Sequence, residues 1–280
     1  MAAKSGRKPD LASVLGVVVA FGAIIGGLLL EGGKLSDISQ VTAAIIVLGG
    51  TLGATMLNSP LAVFREAFKR LYHVFTDRTH SPDAITDQII EFATKARKSG
   101  IVSLDAEVMA IPDHFLRKAL ILAVDGTDLQ ELRKMMELEI ELDEHRAEAE
   151  SRVFEQAGGY APTVGIIGAV MGLIQVMKNL ANIDEVGHGI AVSFVATVYG
   201  VGIANLFFLP VAGKIKARAQ EEIKMKELML EGVCGIVEGL NPKLIRSKLE
   251  AYSHGDADSK QKQARTSKEV ERDVPQAASR

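Results

Sequence analysis

The chain has 280 residues, of which 48% are hydrophobic, and its 32 basic and 35 acidic side chains leave a formal net charge of only -3. This balance argues against a nucleic-acid-binding protein, which usually carries a basic excess or a basic stripe. The single cysteine, Cys234, excludes an internal disulfide, so nothing in the composition indicates an oxidised extracellular domain. The apolar residues are concentrated in four blocks, and the charges lie between them.

The first two apolar blocks, residues 11–30 and 41–57, predict a hairpin of two membrane-spanning helices. A helix needs about 20 apolar residues to cross a bilayer, with a range of roughly 17–25. We interpret the first block as an uncleaved span and not as a secretory signal, because it is too long for a signal core and a second apolar block follows closely. The connection Glu31-Gly32-Gly33-Lys34 lacks the spacing of a phosphate-binding loop and predicts a turn.

The segment between the second and third blocks, residues 59–158, predicts a domain built of helices. Apolar residues recur at helical spacing over residues 61–75, and Ser81-Pro82-Asp83 is typical of a helix start. The pair Ser99-Gly100 predicts a break. Residues 129–157 contain no glycine or proline, so we expect a long helix to continue towards the third span.

The third and fourth blocks, residues 161–177 and 189–213, contain no acidic, basic or histidine side chain. Each is long enough to cross a bilayer. Small and hydroxyl residues form one helical stripe on each block, and such stripes either let helices approach closely or line a narrow polar path. The members are Gly165, Gly168, Gly172 and Gln175 on the first block, and Ser193, Thr197, Gly200 and Ala204 on the second. An ion path between these neutral walls needs a carboxylate from another chain.

Two prolines and one threonine of these blocks have alternative interpretations. Pro162 is expected to open the third span, where a proline in the first helical turn loses no needed hydrogen bond. Pro210 lies inside the fourth block and releases the carbonyl of Leu206, so a kink is expected there. It is either a tolerated membrane proline or a hinge. Thr197 either donates a hydrogen bond to the Ser193 carbonyl or lines an ion route.

The remaining residues complete the predicted organisation. Residues 215–237 predict another helix, Asn241-Pro242 predicts a break, and residues 253–280 are polar and expected to be disordered. The sequence therefore predicts an all-α integral membrane protein with four transmembrane helices and a large helical cytoplasmic domain. Its segments are a cytoplasmic N-terminus (1–10), a transmembrane hairpin (11–58), a cytoplasmic helical domain (59–158), a second transmembrane hairpin (159–213), a cytoplasmic C-terminal helix (214–252) and a tail (253–280).

Basic residues near the span ends predict the orientation in the membrane. Basic clusters precede the first span and follow the second and fourth, whereas the short connections 31–40 and 178–188 each carry one lysine and two acids. Both termini and the 59–158 domain are therefore expected on the cytoplasmic side. The clusters are Lys4, Arg7 and Lys8; Arg65, Lys69 and Arg70; and Lys214, Lys216 and Arg218.

No motif supports an enzyme. The sequence contains no Gly-x-Ser-x-Gly, Cys-x-x-Cys or His-Glu-x-x-His pattern. Asp143-Glu144-His145 lacks the spacing of metal ligands and predicts a solvated helix face. We therefore expect no enzymatic activity, no metal and no cofactor.

Three ordered stretches carry a resemblance to a known family. They are Ala161-Pro-Thr-Val-Gly-Ile-Ile-Gly-Ala-Val-Met-Gly-Leu-Ile, Gly189-Ile-Ala-Val-Ser-Phe-Val-Ala-Thr-Val-Tyr-Gly and Leu209-Pro-Val-Ala. They resemble the MotA/PomA flagellar stator subunits, which belong to the wider MotA/TolQ/ExbB proton-channel group. The resemblance covers residues 11–252, with four spans and a large loop between the second and third. It implies an inner-membrane stator subunit of the bacterial flagellar motor that converts ion flow into torque.

The resemblance also implies a partner and an ion path. Five copies of the chain would surround two copies of a MotB-like partner, whose single span carries the ion-accepting aspartate. Pro162 and Pro210 match the family's two functional prolines near the ion path, and Thr197 matches a pore-facing threonine. Ala169 occupies a position where sodium-driven members tend to carry threonine, which favours protons. Ser193, on the same stripe as Thr197, is a further ion-path candidate.

For the loop domain, the resemblance implies contacts with the motor's rotor. Arg97 matches the loop arginine that faces charged residues of the rotor protein FliG. Asp105 sits where the family usually has a glutamate, so the sign is kept on a shorter side chain. Lys98 and Glu107 flank the same predicted break and complete the candidate set. Without the resemblance, all four are expected to be solvated charges.

Two alternatives remain open at this point. A TolQ/ExbB-type ion-driven energiser of an envelope transport system would usually have three spans. A passive membrane scaffold would show no ion flux.

Overall fold

A computed structural model describes residues 8–74, 76–77 and 81–251, and most of this part of the chain is helical. The two-residue strands β1 (Lys8–Pro9) and β2 (Thr76–Asp77) pair in antiparallel register, with Pro9 opposite Thr76. The helices are α1 (Leu11–Leu30), α2 (Val41–Asn58), α3 (Leu61–Val74), α4 (Pro82–Ser99), α5 (Asp105–Val108), α6 (His114–Val124), α7 (Leu129–Lys178), α8 (Ile183–Val237) and α9 (242–251). Short 3-10 turns cover Leu35–Ile38 and Ile101–Leu104.

Some sequence predictions fall outside the described residues. They concern Lys4 and Arg7 of the first basic cluster, Phe75 at the end of the predicted helix 61–75, and the tail 253–280.

Four helices, α1, α2, α7 and α8, are long and apolar enough to cross a membrane. The prediction of an all-α protein with four candidate spans is therefore confirmed. The first two agree with the predicted blocks to within one residue. The others extend far beyond their apolar blocks, since α7 has 50 residues and α8 has 55. The expected long helix from Leu129 is thus present, and the helix predicted over 215–237 is the continuation of α8.

The prediction that Pro162 opens a helix is wrong. Pro162 lies inside α7, many residues after its start at Leu129. The apolar block marks only the part of α7 that is suited to lipid, so its first residue is not the helix start. A proline inside a helix withholds the hydrogen bond that the carbonyl of Gly158, four residues earlier, would otherwise accept. Next to the proline, Thr163 Oγ1 donates to the Tyr160 carbonyl at 2.8 Å.

Two predicted turns are confirmed by glycines in the left-handed region. Gly32, with φ 83°, follows α1, and the next amide, that of Gly33, donates to the Leu28 carbonyl at 3.0 Å. Gly100, with φ 82°, ends α4 at the predicted break. A side chain with a Cβ would be strained at both positions.

The described residues divide into two compact units, the first formed by residues 8–74, 76–77 and 144–220. This unit holds α1, α2, α3 and the apolar parts of α7 and α8. One core packs α3 against α7 and α8, around Ala67, Phe154 and Phe208. A smaller cluster, around Val47 and Val195, packs α2 against α8.

The second unit is formed, among the described residues, by 81–143 and 221–251. It holds α4, α5, α6, α9, the beginning of α7 and the end of α8. Its core surrounds the fully buried side chains of Ile89, Leu104, Leu120, Met136 and Val233. Each unit therefore has an apolar core of its own.

Candidate functional site

The helices α7 and α8 approach each other closely along the predicted small-residue stripes. A Cβ added at Gly200 would lie 2.5 Å from the carbonyl oxygen of Ala161, and one added at Gly165 would lie 2.9 Å from that of Ala196. Backbone atoms cannot turn aside as a flexible side chain can, so these positions need glycine. For these glycines, close helix approach is the alternative that the geometry supports.

Ser193 lies inside this contact. Its buried hydroxyl is 2.8 Å from the Ala169 carbonyl oxygen on α7 and 2.9 Å from the Gly189 carbonyl oxygen on α8. A hydroxyl has one proton and donates to one of these acceptors at a time. The structure thus brings together Ser193 and Ala169, two of the predicted ion-path residues, in a polar contact between the helices.

Thr197 and Asn205 are exposed on α8, and their polar groups bond to their own helix. Thr197 Oγ1 donates to the Ser193 carbonyl at 3.2 Å, which is the hydrogen bond predicted from the sequence. Asn205 Nδ2 donates to the Val201 carbonyl at 2.9 Å. The Thr197 hydroxyl has used its one donor and can face lipid or another chain, whereas the Asn205 amide still has a second N–H to offer to a partner. The α8 surface therefore presents uncharged polar groups outwards.

Pro210 lies next to an irregularity in α8. A π-helical turn covers Ala204–Phe208, and the Leu209 amide donates to the Ala204 carbonyl, five residues back. Such turns are found at functional sites and at helix kinks. A π-helical turn already replaces the regular bonds between residues four apart, so a proline beside it interrupts fewer of them. The helix continues through the exposed Pro210 to Val237. The predicted kink itself stays a prediction.

Two buried threonines on α2 escaped the sequence analysis. Thr55 Oγ1 donates to the Thr51 carbonyl at 2.8 Å, whereas Thr51 Oγ1 has no hydrogen-bond partner among the residues that the structure describes. Both continue the buried face of Ala43 and Val47 at intervals of four residues. The spacing of four residues could have predicted this burial, because a threonine that continues the buried face of a helix is expected to be buried as well.

A charged cluster at the start of α1 was also missed. Asp10 is buried and caps α1 by accepting hydrogen bonds from the Ala12 and Ser13 amides at 3.1 and 3.3 Å. Its carboxylate also pairs with Lys214 Nζ at 2.5 Å and with Arg218 Nη2 at 3.0 Å. The hydrogen bond from Lys214, the largest cause, holds the pKa of the Asp10 carboxyl well below its usual range, and Arg218 and the Ser13 groups add to the effect against the opposing effect of burial.

The charged residues predicted to face a rotor lie on the second unit. Arg97, Lys98, Asp105 and Glu107 are all exposed, in agreement with solvated charges. The structure pairs Glu107 with Lys95 of α4. Arg97 also lines a cleft of about 330 Å³, and most of the other residues that line it are alanine, isoleucine, valine, leucine or glycine.

An ionic cluster that stabilises the second unit surrounds Glu231. Arg133 Nη2 lies 3.2 Å from Glu231 Oε2, and Lys248 pairs with Glu231 Oε1. Burial, the largest single influence, raises the pKa of Glu231, but the two cations together lower it below its ordinary value. Burial raises the pKa of the nearby Cys234 thiol to about 11. These groups join α7, α8 and α9, and nothing in their arrangement resembles a reaction site.

In the described part of the chain, no group of three or more His, Cys, Asp or Glu side chains is placed to hold a metal ion.

The fold and these contacts define a membrane protein with several spans, two of them neutral and joined through glycines, and with a separate helical unit. The model of the MotA/TolQ/ExbB proton channel family matches residues 107–228, and that of the motility protein A N-terminal region matches residues 14–100. The chain therefore belongs to the MotA/TolQ/ExbB proton channel family, in its motility protein A branch.

Individual relatives support the same placement. The chain is 35% identical over 250 residues to Motility protein A of Bacillus subtilis, covering 87% of this chain and 90% of that protein. It is 36% identical over 243 residues to Motility protein A of Helicobacter pylori, covering 87% and 95%. The solved structure of C. jejuni MotAB matches with a TM-score of 0.82 and 32% identity, covering 87% of this chain and 95% of that chain. The chain is thus a multi-pass inner-membrane protein of the flagellar stator type, and the resemblance seen in the sequence is confirmed.

Proposed function

We propose that this chain is the motor subunit of a flagellar stator and that it forms, with a MotB-like partner, an ion path whose carboxylate belongs to the partner. The observation that carries the proposal is the neutrality of residues 161–177 and 189–213, which hold no acidic, basic or histidine side chain. Ion routes through a membrane normally include an ionisable group at membrane depth. A closely packed pair of neutral helices suits the wall of such a route, with the acid on a neighbouring span.

The exposed face of α8 is where the partner span would dock. Thr197, Asn205 and Pro210 are each exposed on α8, and the hydroxyl and amide bond to the helix itself. Such a surface can pack against an apolar helix of the partner. Its oxygen atoms can also act as ligands for an ion in the path. Pro162 of α7 is half-buried. Because proline has no backbone N–H, Pro162 and Pro210 each remove one hydrogen-bond donor from their helix. The MotAB complexes among the related structures support a partner of this kind.

The orientation follows from the basic flanks. Positive residues are enriched on the cytoplasmic side of membrane helices, and the three basic clusters all lie on one side of the four spans. The termini and the 59–158 domain are then cytoplasmic. The predicted segment boundaries are part of this proposal. The proposed assembly, five copies of the chain around two partner chains, is the one that the family resemblance implies.

The coupling ion is proposed to be the proton. Ala169 stands where sodium-driven relatives tend to carry threonine, and alanine offers no side-chain oxygen as a sodium ligand. The Ala169 carbonyl itself is within hydrogen-bonding distance of Ser193 Oγ, at 2.8 Å.

The second unit would transmit torque to the rotor protein FliG through Arg97, Lys98, Asp105 and Glu107, which are all exposed. One ion crossing the membrane releases about 2.3 kcal/mol per 100 mV. An exposed ion pair contributes only about 0.2–1 kcal/mol. One ion can therefore drive the exchange of several such pairs, so each surface charge is individually replaceable.

Complementation tests the proposal. The chain is expressed with its MotB-like partner in a strain that lacks stators, and swimming is measured beside the level of both proteins in the membrane. We expect swimming to be restored, and to be lost when the partner's aspartate is changed to asparagine. Persistent failure to swim at normal membrane levels would count against a stator function.

A further inference from the structure

The first span has an unusual position in the protomer, because no residue of α1, all of which the structure describes, is buried. Side chains such as Leu15, Val18 and Val19 are exposed by more than half. A helix that buries no side chain gains little from packing against its own protomer. Within its own protomer, α1 is therefore held largely by contacts at its ends and by the few places where it approaches another helix.

One such anchor is the Asp10 clasp, which we define as Asp10 with Lys214 and Arg218. The carboxylate is 9% exposed, while the Lys214 and Arg218 side chains are 31% and 21% exposed. Charge-assisted hydrogen bonds in such a sheltered place are roughly twice as strong as neutral ones. The strand pairing of Pro9 with Thr76 holds the residue before Asp10 as well.

The clasp lies on one side of Pro210, and a second contact lies on the other. Beyond the clasp, α1 approaches the π-helical turn Ala204–Phe208, which precedes the proline. Lys214 and Arg218 follow the proline by one and two helical turns. The first span thus contacts α8 at the π-helical turn before Pro210, and its N-cap Asp10 contacts α8 at Lys214 and Arg218 after Pro210. A change of bend at Pro210 must move Lys214 relative to the turn and so must strain the clasp.

We propose that Asp10 is a positioning residue, which acts through Lys214 and Arg218 to fix the geometry of α8 at Pro210 and thereby the wall of the ion path. This inference rests on the proposed stator function. Asp10 touches neither the ion nor the partner in this account. It sets how far the α8 segment bends during each cycle.

The substitution Asp10→Asn isolates the charge. Asparagine caps helices about as well as aspartate, so α1 keeps its N-cap while both ion pairs are lost. Asp10→Glu keeps the charge on a longer side chain. Lys214→Met removes one cation and keeps the apolar stem. The matched control is Lys216→Met, two residues further on: Lys216 pairs with Glu155 at 2.7 Å, and both side chains are about 40% exposed. The control loses the same positive charge near the span end.

Torque per stator unit is the deciding readout. Single motors are restored stepwise in a stator-less strain, so the torque of each step and the number of steps are obtained separately. Because the carboxylate that pairs with both cations is lost, we expect Asp10→Asn to lower the torque per unit at an unchanged number of units. We expect Asp10→Glu to retain most of it, and Lys216→Met to match the wild type.

Two comparisons complete the test. The double variant Asp10→Asn with Lys214→Met should lose less torque than the two single losses added together, because both single variants remove the same ion pair; additive losses would contradict the inference. Full torque per unit in Asp10→Asn, equal loss in Lys216→Met, or fewer units each with normal torque would overturn the inference. Failure of the wild-type chain to rotate the motor would instead contradict the proposed function. In that case, a double-mutant cycle on thermal unfolding of the solubilised complex still tests whether Asp10 and Lys214 are coupled.

Discussion

The substitution Gly200→Ala should separate the third and fourth spans. The added Cβ would meet the Ala161 carbonyl oxygen at 2.5 Å, whereas ordinary contacts begin at 3.4 Å, so the helices must part locally by roughly 0.9 Å. A radial gap of about 0.5–1 Å forfeits roughly a quarter to a half of the dispersion attraction. Overpacking of well-packed sites costs about 1–3 kcal/mol. We therefore expect Gly200→Ala to destabilise the protein by about 2 kcal/mol and to reduce swimming.

The control is Gly202→Ala on the same helix, where a Cβ would meet nothing within 4 Å. Thermal unfolding of the solubilised complex and membrane levels are measured for both variants, together with swimming speed. Gly202→Ala should match the wild type. If Gly200→Ala were as stable and as motile as Gly202→Ala, the close contact between Gly200 and the α7 backbone would be refuted.

Four further predictions concern other parts of the chain. Pro210→Ala restores a backbone donor to α8 and should reduce swimming severely at normal membrane levels; full speed would count against a hinge. Arg97→Glu should lower torque only partially, because exposed pairs contribute about 0.2–1 kcal/mol, and a charge reversal on the rotor should recover it. Thr51→Val should leave thermal stability unchanged or raise it by about 1 kcal/mol, since the buried hydroxyl has no partner in the described residues; a large loss would show that it has one. Burial raises the pKa of Cys234 to about 11, so alkylation at pH 8 should be slow in the folded protein and fast after unfolding; rapid labelling of the folded form would contradict this.

The spans and the family could be predicted from the sequence, because the length of an apolar block, the charges beside it and short ordered motifs can all be read from neighbouring residues. Hydropathy located α1 to the residue, and glycine spacing predicted a stripe whose buried members pack α7 against α8. The same local reasoning placed the start of a helix at Pro162, where the structure has the interior of α7. An apolar block shows where lipid is tolerated, whereas a helix continues as long as its backbone bonds are made.

Contacts between residues distant in sequence could not be found in this way. The capping role of Asp10 could have been predicted from its place before an apolar run, although it was missed, but its pairing with Lys214 depends on how α1 lies against α8. The lysine was interpreted only as a mark of orientation. The Glu231 cluster likewise depends on the meeting of three helices. No local pattern encodes such pairs.

Proton flux into liposomes tests the central claim most directly. Vesicles containing this chain with its MotB-like partner are compared with vesicles containing the chain alone and with vesicles in which the partner's aspartate is replaced by asparagine. Flux is expected only with the intact partner, because residues 161–177 and 189–213 supply neutral walls and no acid. Brisk flux through the chain alone would contradict the account.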